Sequence, residues 1–473
     1  MTSRITNKLG ALALSALVTA TMLTGVATVN ARAQAQNSND ALLNALVRKG
    51  ILTQQEAADL RAETQQQPKA AAPAPAAVAA PTSASKLNLF PGLTALGFFG
   101  DMRLRYEYKQ GANDAPNAAT PGDNQDMNRY RYRLRLGFNG KFAAGWFFGA
   151  RLETSNNARS SNVTMGSYGA ANGKAASNTI YVGQAYAGWA SQDFTFTAGR
   201  MANPFTYGQT FVWSDDINVE GLAEQWNHNF GGFSLFANLA QLVYVNNGGT
   251  TNALGASGVP NTFLFGNQIG ARVKLDGGRM YLQAAPTYYG YSNDAHRAYP
   301  TMVPPTTPNN ANLQTVGLQI LDVPVELGLP SIAGGKVPAK VFGDFATNFA
   351  SHTRANAAGF TETGGQDKAW QLGVAIGQTK NKGDWEARAL YQSTDAFALD
   401  PNLLDMSQFD ARTNMQGWML AGTYVITPGV SVKLSYYNGQ RKNSALPAFG
   451  ASDIATAYLG KYNVFQADFL IKF

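Results

Sequence analysis

Cysteine is absent from all 473 residues, which removes disulfides, thiolate metal sites and cysteine nucleophiles together. Histidine is nearly absent: His228, His296 and His352 stand far apart, and none opens an H-E-x-x-H motif. There is no G-x-S-x-G elbow, phosphate-binding loop or EF-hand loop. Charge is scarce too, at 14% of residues against about 25% in ordinary soluble domains. Catalysis loses most of its usual side chains, and no cofactor or metal is implied. A mean hydropathy of −0.20 also excludes a bundle of membrane helices. What the chain does have is 11% aromatics and 48 glycines. That composition suits a β-protein whose residues alternate between two solvents.

The N-terminus has its own organisation. Arg4 and Lys8 precede an apolar stretch from Leu9 to about Val29, and Ala31-Arg32-Ala33 then offers small residues around a cleavage point. These are the parts of a secretory signal peptide spanning residues 1–33. No cysteine follows it, so the leader is not that of a lipoprotein. Removing it takes away three cations and no acid, and the formal charge falls from +7 to +4, which gives nucleic-acid binding little support.

Residues 34–67 contain the one clearly helix-period stretch. Leu42, Leu43, Leu46 and Val47 share a face, Gly50 stops the helix, and Thr53-Gln54-Gln55-Glu56 reads as a capping box for a second helix. Two short helices bury little, so this periplasmic segment is expected to pair with copies of itself or another partner. The alternative is a solvated spacer. Residues 68–85, rich in Ala and Pro, read as an extended linker.

From Gly97 onward the period is two, within a barrel expected over residues 86–473. Met102, Leu104, Tyr106 and Tyr108 alternate with Asp101, Arg103, Arg105 and Glu107. Tyr130, Tyr132, Leu134 and Leu136 alternate with Arg129, Arg131, Arg133 and Arg135. One face suits an apolar medium and the other water. Short turns at 139–145, 191–193, 229–232, 276–278, 331–336, 381–384 and 427–429 alternate with long polar segments centred near 118, 166, 208, 253, 303, 359, 404 and 450. The pattern predicts an all-β, antiparallel, up-and-down transmembrane barrel of about 16 strands, with both ends on the short-turn side. In lipid the sheet must close, because an open edge leaves unpaired amides at several kcal/mol each. Tyr106, Tyr108, Tyr130, Trp146, Trp189, Trp385 and Tyr436 fit interfacial girdles. The last strand runs through Phe465, Ala467, Phe469 and Ile471 to Phe473; Phe469, Ile471 and Phe473 resemble the C-terminal signal read by barrel-assembly machinery in Gram-negative outer membranes.

Several stretches resemble the putative-porin family of bacterial outer membranes. They are Ala198-Gly199-Arg200-Met201-Ala202-Asn203-Pro204-Phe205, Val212 to Gly221, Gly100 to Arg105, Phe342 to Phe345 with Asn348, and Leu46 to Thr53 with Glu56. The resemblance implies an outer-membrane channel, names no solute and carries no catalytic residue. By analogy with porins of this strand number it also implies a homotrimer, seated among outer-membrane lipid and lipopolysaccharide.

By parity the water-facing cations are Arg103, Arg105, Arg129, Arg131, Arg133, Arg135, Arg151, Arg272, Lys274, Lys340, Arg388, Lys433 and Lys472. The corresponding acids are Asp101, Glu107, Glu153, Glu220, Glu224, Asp344, Glu386 and Asp468. The first seven arginines sit on neighbouring strands and should form one basic wall that attracts anions. The alternative is that they pair with Asp101, Glu107 and Glu153 and stiffen the wall. The third long loop, with Asn203, Pro204, Phe205, Tyr207, Trp213, Asp215 and Asp216, is a candidate constriction facing that wall. It could instead stay outside as a lid or meet a neighbouring subunit.

The expected function is passive diffusion of small hydrophilic solutes and ions through a water-filled channel with weak anion preference, and no enzymatic reaction. Alternatives are a plugged barrel that tethers the envelope and a solute-specific channel. Nucleic acid is not an expected partner.

Overall fold

The computed structural model describes residue 55 and residues 92–114, 124–155, 160–166, 179–205, 211–245, 261–292, 315–332, 337–360, 366–450, 453–454, 456 and 458–473. The expected signal peptide, linker and nearly all of the expected periplasmic helices lie outside these residues.

Sixteen strands run in chain order: β1 (Leu93–Asn113), β2 (Asn124–Phe142), β3 (Trp146–Ser155), β4 (Thr179–Ala190), β5 (Phe194–Ala202), β6 (Asn218–Asn229), β7 (Phe233–Val245), β8 (Thr262–Leu275), β9 (Met280–Ala284 continued by Thr287–Tyr291), β10 (Gln319–Ile332), β11 (Val337–Asn348), β12 (Lys368–Gly377), β13 (Trp385–Thr394), β14 (Met415–Thr427), β15 (Val430–Arg441) and β16 (Leu459–Lys472). Strand β9 is interrupted where Pro286, which has no N–H to give the ladder, enters it. A two-residue strand, Val163–Thr164, extends the pairing of β2, and a short helix α1 (Ser351–Ala357) lies between β11 and β12.

Every strand pairs antiparallel with its chain neighbour, and β1 also pairs with β16 from Asp101↔Lys472 to Asn113↔Leu459, so the sheet is closed. Backbone bonds between Gly100 and Phe473, at 2.8 and 3.1 Å, complete the seam at the C-terminus. Gly100 leaves room there for the Phe473 ring, which a β-carbon would touch at 2.6 Å. Strand number, short turns and the eight long connections follow the expected alternation.

The pleat sorts the residues as two solvents require. Outward positions hold Phe98, Leu134, Trp146, Leu152, Ile269, Leu372 and Leu434, all exposed. Inward positions hold buried Asp101, Arg105, Glu107, Lys109, Asn238, Gln268, Asp344 and Gln371. Outward aromatics collect at two heights: Trp370, Tyr391 and Trp418 touch in sequence around one rim, with ring centroids 5.5 and 4.8 Å apart. Trp385 lies six residues before Tyr391 on β13, about 20 Å along the strand. A strand tilt of about 35–45° reduces that separation to about 15 Å of height, which lies within an apolar band about 25 Å tall.

Two expected inward acids are placed differently. Glu220 and Glu224 lie on the outward face of β6 with Leu222, because Gln225 on the other face bonds inward-facing Asn238. Glu220 pairs with Arg200 at 2.6 Å, and Glu224 accepts from Gln241 at 3.1 Å. The parity of β6 is set by its buried Val219 and Ala223, which face the third loop, and a count from charge alone misses it.

Candidate functional site: the charged wall and two inward loops

The inward faces of β1, β2 and β16 form a continuous charged surface. Successive residues on one face of a strand lie about 6.6 Å apart and adjacent strands about 4.8 Å apart, so alternating Arg and acid brings every carboxylate within reach of several guanidiniums. Asp101 accepts from Arg133 at 2.7 Å on one oxygen and from Arg135 at 2.6 Å on the other. Glu107 takes Arg129 at 2.6 Å and Gln466 at 2.7 Å. Asp468 is gripped by both arms of Arg105, at 2.6 and 2.7 Å. Arg151 pairs with Glu153 at 2.9 Å, while Arg131 reaches the carbonyl of Asn162 at 3.3 Å and Arg103 its side-chain oxygen. The seven arginines of the expected wall thus share one face of β1–β3, and five of them make close ion pairs with acids. Arg103, Arg105, Arg131, Arg133 and Arg135 line a cavity of about 410 Å³ together with Lys433 and Arg388.

The third loop enters this interior. Its described residues include Asn203, Pro204, Phe205, Trp213, Asp215 and Asp216; Tyr207 lies outside the described residues. Phe205 and Trp213 are buried against Tyr289 of β9, with centroids 5.4 and 6.0 Å away. The Phe205 ring occupies space that Gly266 of β8 leaves open on its inward side. Gln225 donates to the Pro204 carbonyl at 2.9 Å. The far end of the loop returns to the charged wall, where Asp216 meets Arg133 at 3.2 Å and Arg135 at 3.9 Å. Burial pushes the Asp216 carboxyl up, but Arg103, Arg133, Arg135 and Arg105 outweigh it and hold its pKa below the usual carboxylate range. Asp215 also lines the cavity.

A second loop reaches inward that the sequence pattern left as an ordinary connection. Residues 395–414, between β13 and β14, carry an aspartate every fifth position, and each ties the loop to a different element. Asp395 pairs with Lys442 at 2.6 Å. Asp400 accepts from Tyr244 of β7 at 2.5 Å and Tyr291 of β9 at 2.9 Å. Asp405 accepts from Ser214 of the third loop at 3.4 Å, and the Ser214 amide donates to the Leu403 carbonyl at 2.7 Å. Asp410 takes Lys109 of β1 at 3.3 Å and caps the amides of Asp453 and Ile454 at 2.9 and 3.0 Å. Fully buried Arg412 donates to the carbonyls of Ala448, Ile454 and Thr456. Phe409, Asp410, Ala411 and Asn414 hold positive φ, so the backbone here is tightly turned and held by these bonds. Burial raises the Asp453 carboxyl, yet Lys109 and Arg129 hold it well below its ordinary range. Inward parity carried one step past Glu107 finds Lys109, and the five-residue aspartate spacing was the available signal for the loop.

The wall opposite is built differently. Gln225, Asn238, Gln268 and Thr287 form a chain across β6–β9 with links of 3.3, 2.7 and 2.7 Å. Asp322 on β10 and Asp344 on β11 follow, and Gln371 donates to Asp344 at 2.5 Å. Among the described residues no group of three or more His, Asp or Glu could hold a metal ion.

Phe469, Ile471 and Phe473 lie on the outward face of the closing strand, Phe473 well exposed.

A family model described as "Putative porin" matches residues 88–319. The family resemblance read from the sequence is thereby shown over residues 88–319, just under half of the chain. Among solved structures the chain is similar to an anion-selective porin from Comamonas acidovorans, at 13% identity and TM-score 0.44, over 80% of this chain and 99% of that one. It is also similar to a triple mutant of the Rhodopseudomonas blastica porin, at 12% identity and TM-score 0.40, over 80% of this chain and all of that one. No curated protein matches the sequence. The family match and the barrel fold point to a channel.

Proposed function

We propose that this barrel is an outer-membrane porin passing small hydrophilic solutes and ions by diffusion, with a weak preference for anions. The observation that carries the reading is the row of inward arginines on β1 and β2 lining a common cavity with Lys433 and Arg388, across from a wall of amides. Fixed cations on one side of a narrow aqueous passage raise the local concentration of anions and lower that of cations. Because most of those guanidiniums share carboxylates, the net field is modest and the preference weak. Asp215 and Asp216 on the third loop add negative charge beside the arginines, so a transverse field acts on dipolar solutes at the constriction, which the third loop and residues 395–414 narrow together.

The same reading places residues 1–33 as a cleaved leader, 34–67 as a periplasmic segment and 68–85 as its linker. The mature barrel is inserted by the assembly machinery through its C-terminal strand, contacts lipid and lipopolysaccharide, and works as a homotrimer. Single-channel conductance of the refolded mature protein in a planar bilayer, with reversal potential under a salt gradient, tests it. Stable open steps with an anion-favouring reversal are expected. The bonds linking the two inward loops across the interior favour one competitor, a plugged barrel with a structural or tethering role. A verified folded barrel without conductance would establish that competitor instead.

A further inference from the structure

Three cations of that cavity lining, Arg103, Lys433 and Lys472, make no ion pair among the described residues, and the first two flank the Arg105–Asp468 pair. Lys433 on β15 is directly opposite Asp468 in the strand register, as is Arg105 on the other side. Both Asp468 oxygens are taken by the Arg105 fork, at 2.6 and 2.7 Å, and among the described residues Lys433 has no ion pair or hydrogen bond. Arg103 sits two residues from Arg105 on the same face, opposite Leu470 and Arg133. Its only hydrogen bond among the described residues goes to the Asn162 amide oxygen, and its Nε is buried without a partner. Arg133, which could have competed for an acid, is already committed to Asp101 and Asp216. The wall therefore compensates its middle and leaves a cation on each flank, both lining the same cavity.

An orphaned guanidinium donor and an unpaired ammonium are costly to leave facing a confined space, and an oxyanion satisfies both. The spacing selects its kind. Strand β16 lies between β15 and β1, so the two backbones are about 9.6 Å apart and the long side chains converge from either side of the Arg105–Asp468 pair. A chloride ion can neutralise one of these cations at a time. A molecule with two carboxylates several ångströms apart can engage both.

We propose that Arg103 and Lys433, bracketing the Arg105–Asp468 pair, form a binding site for a short dicarboxylate within the pore. The proposal rests on the reading of the barrel as an open, anion-preferring porin. A dicarboxylate pausing at the site occupies the passage and lowers the current carried by chloride, so binding is read as block.

The test is single-channel chloride current across the mature protein with succinate added to one side. Wild type is expected to show saturable, concentration-dependent block. Lys433→Met and Arg103→Gln each raise the half-blocking concentration about tenfold, the cost of one lost charge-assisted contact. Acetate, with one carboxylate, is expected to block only at far higher concentration. Lys340→Met, which removes a cation already paired with Glu326 elsewhere on the lining, leaves the block as in wild type. Absence of succinate block in an anion-preferring pore overturns the site alone, as does block that neither site variant weakens or that acetate matches. A wild-type pore with no anion preference in the reversal potential overturns the underlying reading.

Discussion

The two inner walls solve the same problem with opposite chemistry. In a closed sheet of sixteen strands β2 and β10 face each other, so Arg131, Arg133 and Arg135 look across the interior at the surface carrying Asp322 and Asp344. Both walls must satisfy polar groups that point into a confined, partly wet space. The β16–β3 wall does so with shared carboxylates, Asp101 serving two guanidiniums and Asp468 one in a fork. The β6–β9 wall does so with a relay of three neutral amides ending on the Thr287 hydroxyl. An amide relay is satisfied without charge. An ion-pair lattice is satisfied only where cations and acids match, and any mismatch is left as field. On the proposed reading, selectivity would belong to the charged wall, while the amide relay across β6–β9 adds no charge of its own.

Residues 395–414 bridge that contrast, and breaking their charged end should have the largest effect. Lys109→Met leaves Asp410 and Asp453 without their shared cation in a buried setting. Loss of one partner from a buried pair costs about 3–5 kcal/mol. The unfolding midpoint in urea should fall accordingly, and single channels should become noisier and larger as the loop loosens. Tyr291→Phe, which cuts one hydrogen bond at the neutral end, should cost only about 1 kcal/mol. Equal losses for the two variants would mean that the loop is not held asymmetrically.

Next in size is the charged wall itself. Replacing Arg133 and Arg135 by Gln together removes the partners of both Asp101 and Asp216, so a carboxylate excess replaces a cation excess at that level. The anion-to-cation permeability ratio should fall roughly threefold, since a screened surface potential of this kind is worth about 0.6 kcal/mol. An unchanged ratio would place the selective step elsewhere along the pore.

The contact between Asp216 and those arginines also makes a prediction in pH. Because its folded pKa lies below the unfolded value, its contribution to holding the third loop is complete above the ordinary carboxylate range. It is lost only as pH falls through the depressed value. Conductance and closure frequency should therefore stay constant from pH 7 to about pH 4, where an unperturbed aspartate is already about half protonated. Asp216→Asn should show at pH 7 the closures that wild type shows only in stronger acid. Closures that set in for wild type near pH 6 would contradict the pairing.

Strand number, the alternation of short turns with long loops, and the shared face of the seven arginines were legible because a period of two is a local property. Each residue's side follows from its neighbour's. Glu220 and Glu224 escaped because β6 buries Val219 and Ala223 against the third loop, and its inward face carries little charge to announce itself. The loop of residues 395–414 escaped for another reason. Its inward course depends on Tyr244, Tyr291, Lys109 and Ser214, which lie between 109 and 301 residues away from their aspartates. No local period encodes contacts of that range; only the regular spacing of Asp395, Asp400, Asp405 and Asp410 hinted at a purpose. Pairing partners on the wall were half legible. Parity places Asp101 beside the arginines, but only the register decides that Arg105 takes Asp468 and leaves Lys433 free.

The smallest expected effect sharpens the comparison from the neutral side. One oxygen of Asp322 and one of Asp344 have no hydrogen-bond partner among the described residues, although both side chains are buried. Asn at both positions keeps the volume, adds donors that can reach neighbouring groups and removes two acids facing the arginines. Stability should be unchanged or higher by up to about 1 kcal/mol, because no matched charge is lost. The permeability ratio should move toward anions, opposite in sign to the Arg133/Arg135 change and smaller than it. The difference in size follows from position: those arginines stand at the cavity where the two loops narrow the passage, and the two acids stand among amides on the far wall. A shift as large as that of the arginine pair would mean that the far wall shares the selective field, and a large loss of stability would mean that its acids are matched by partners as the near wall's are.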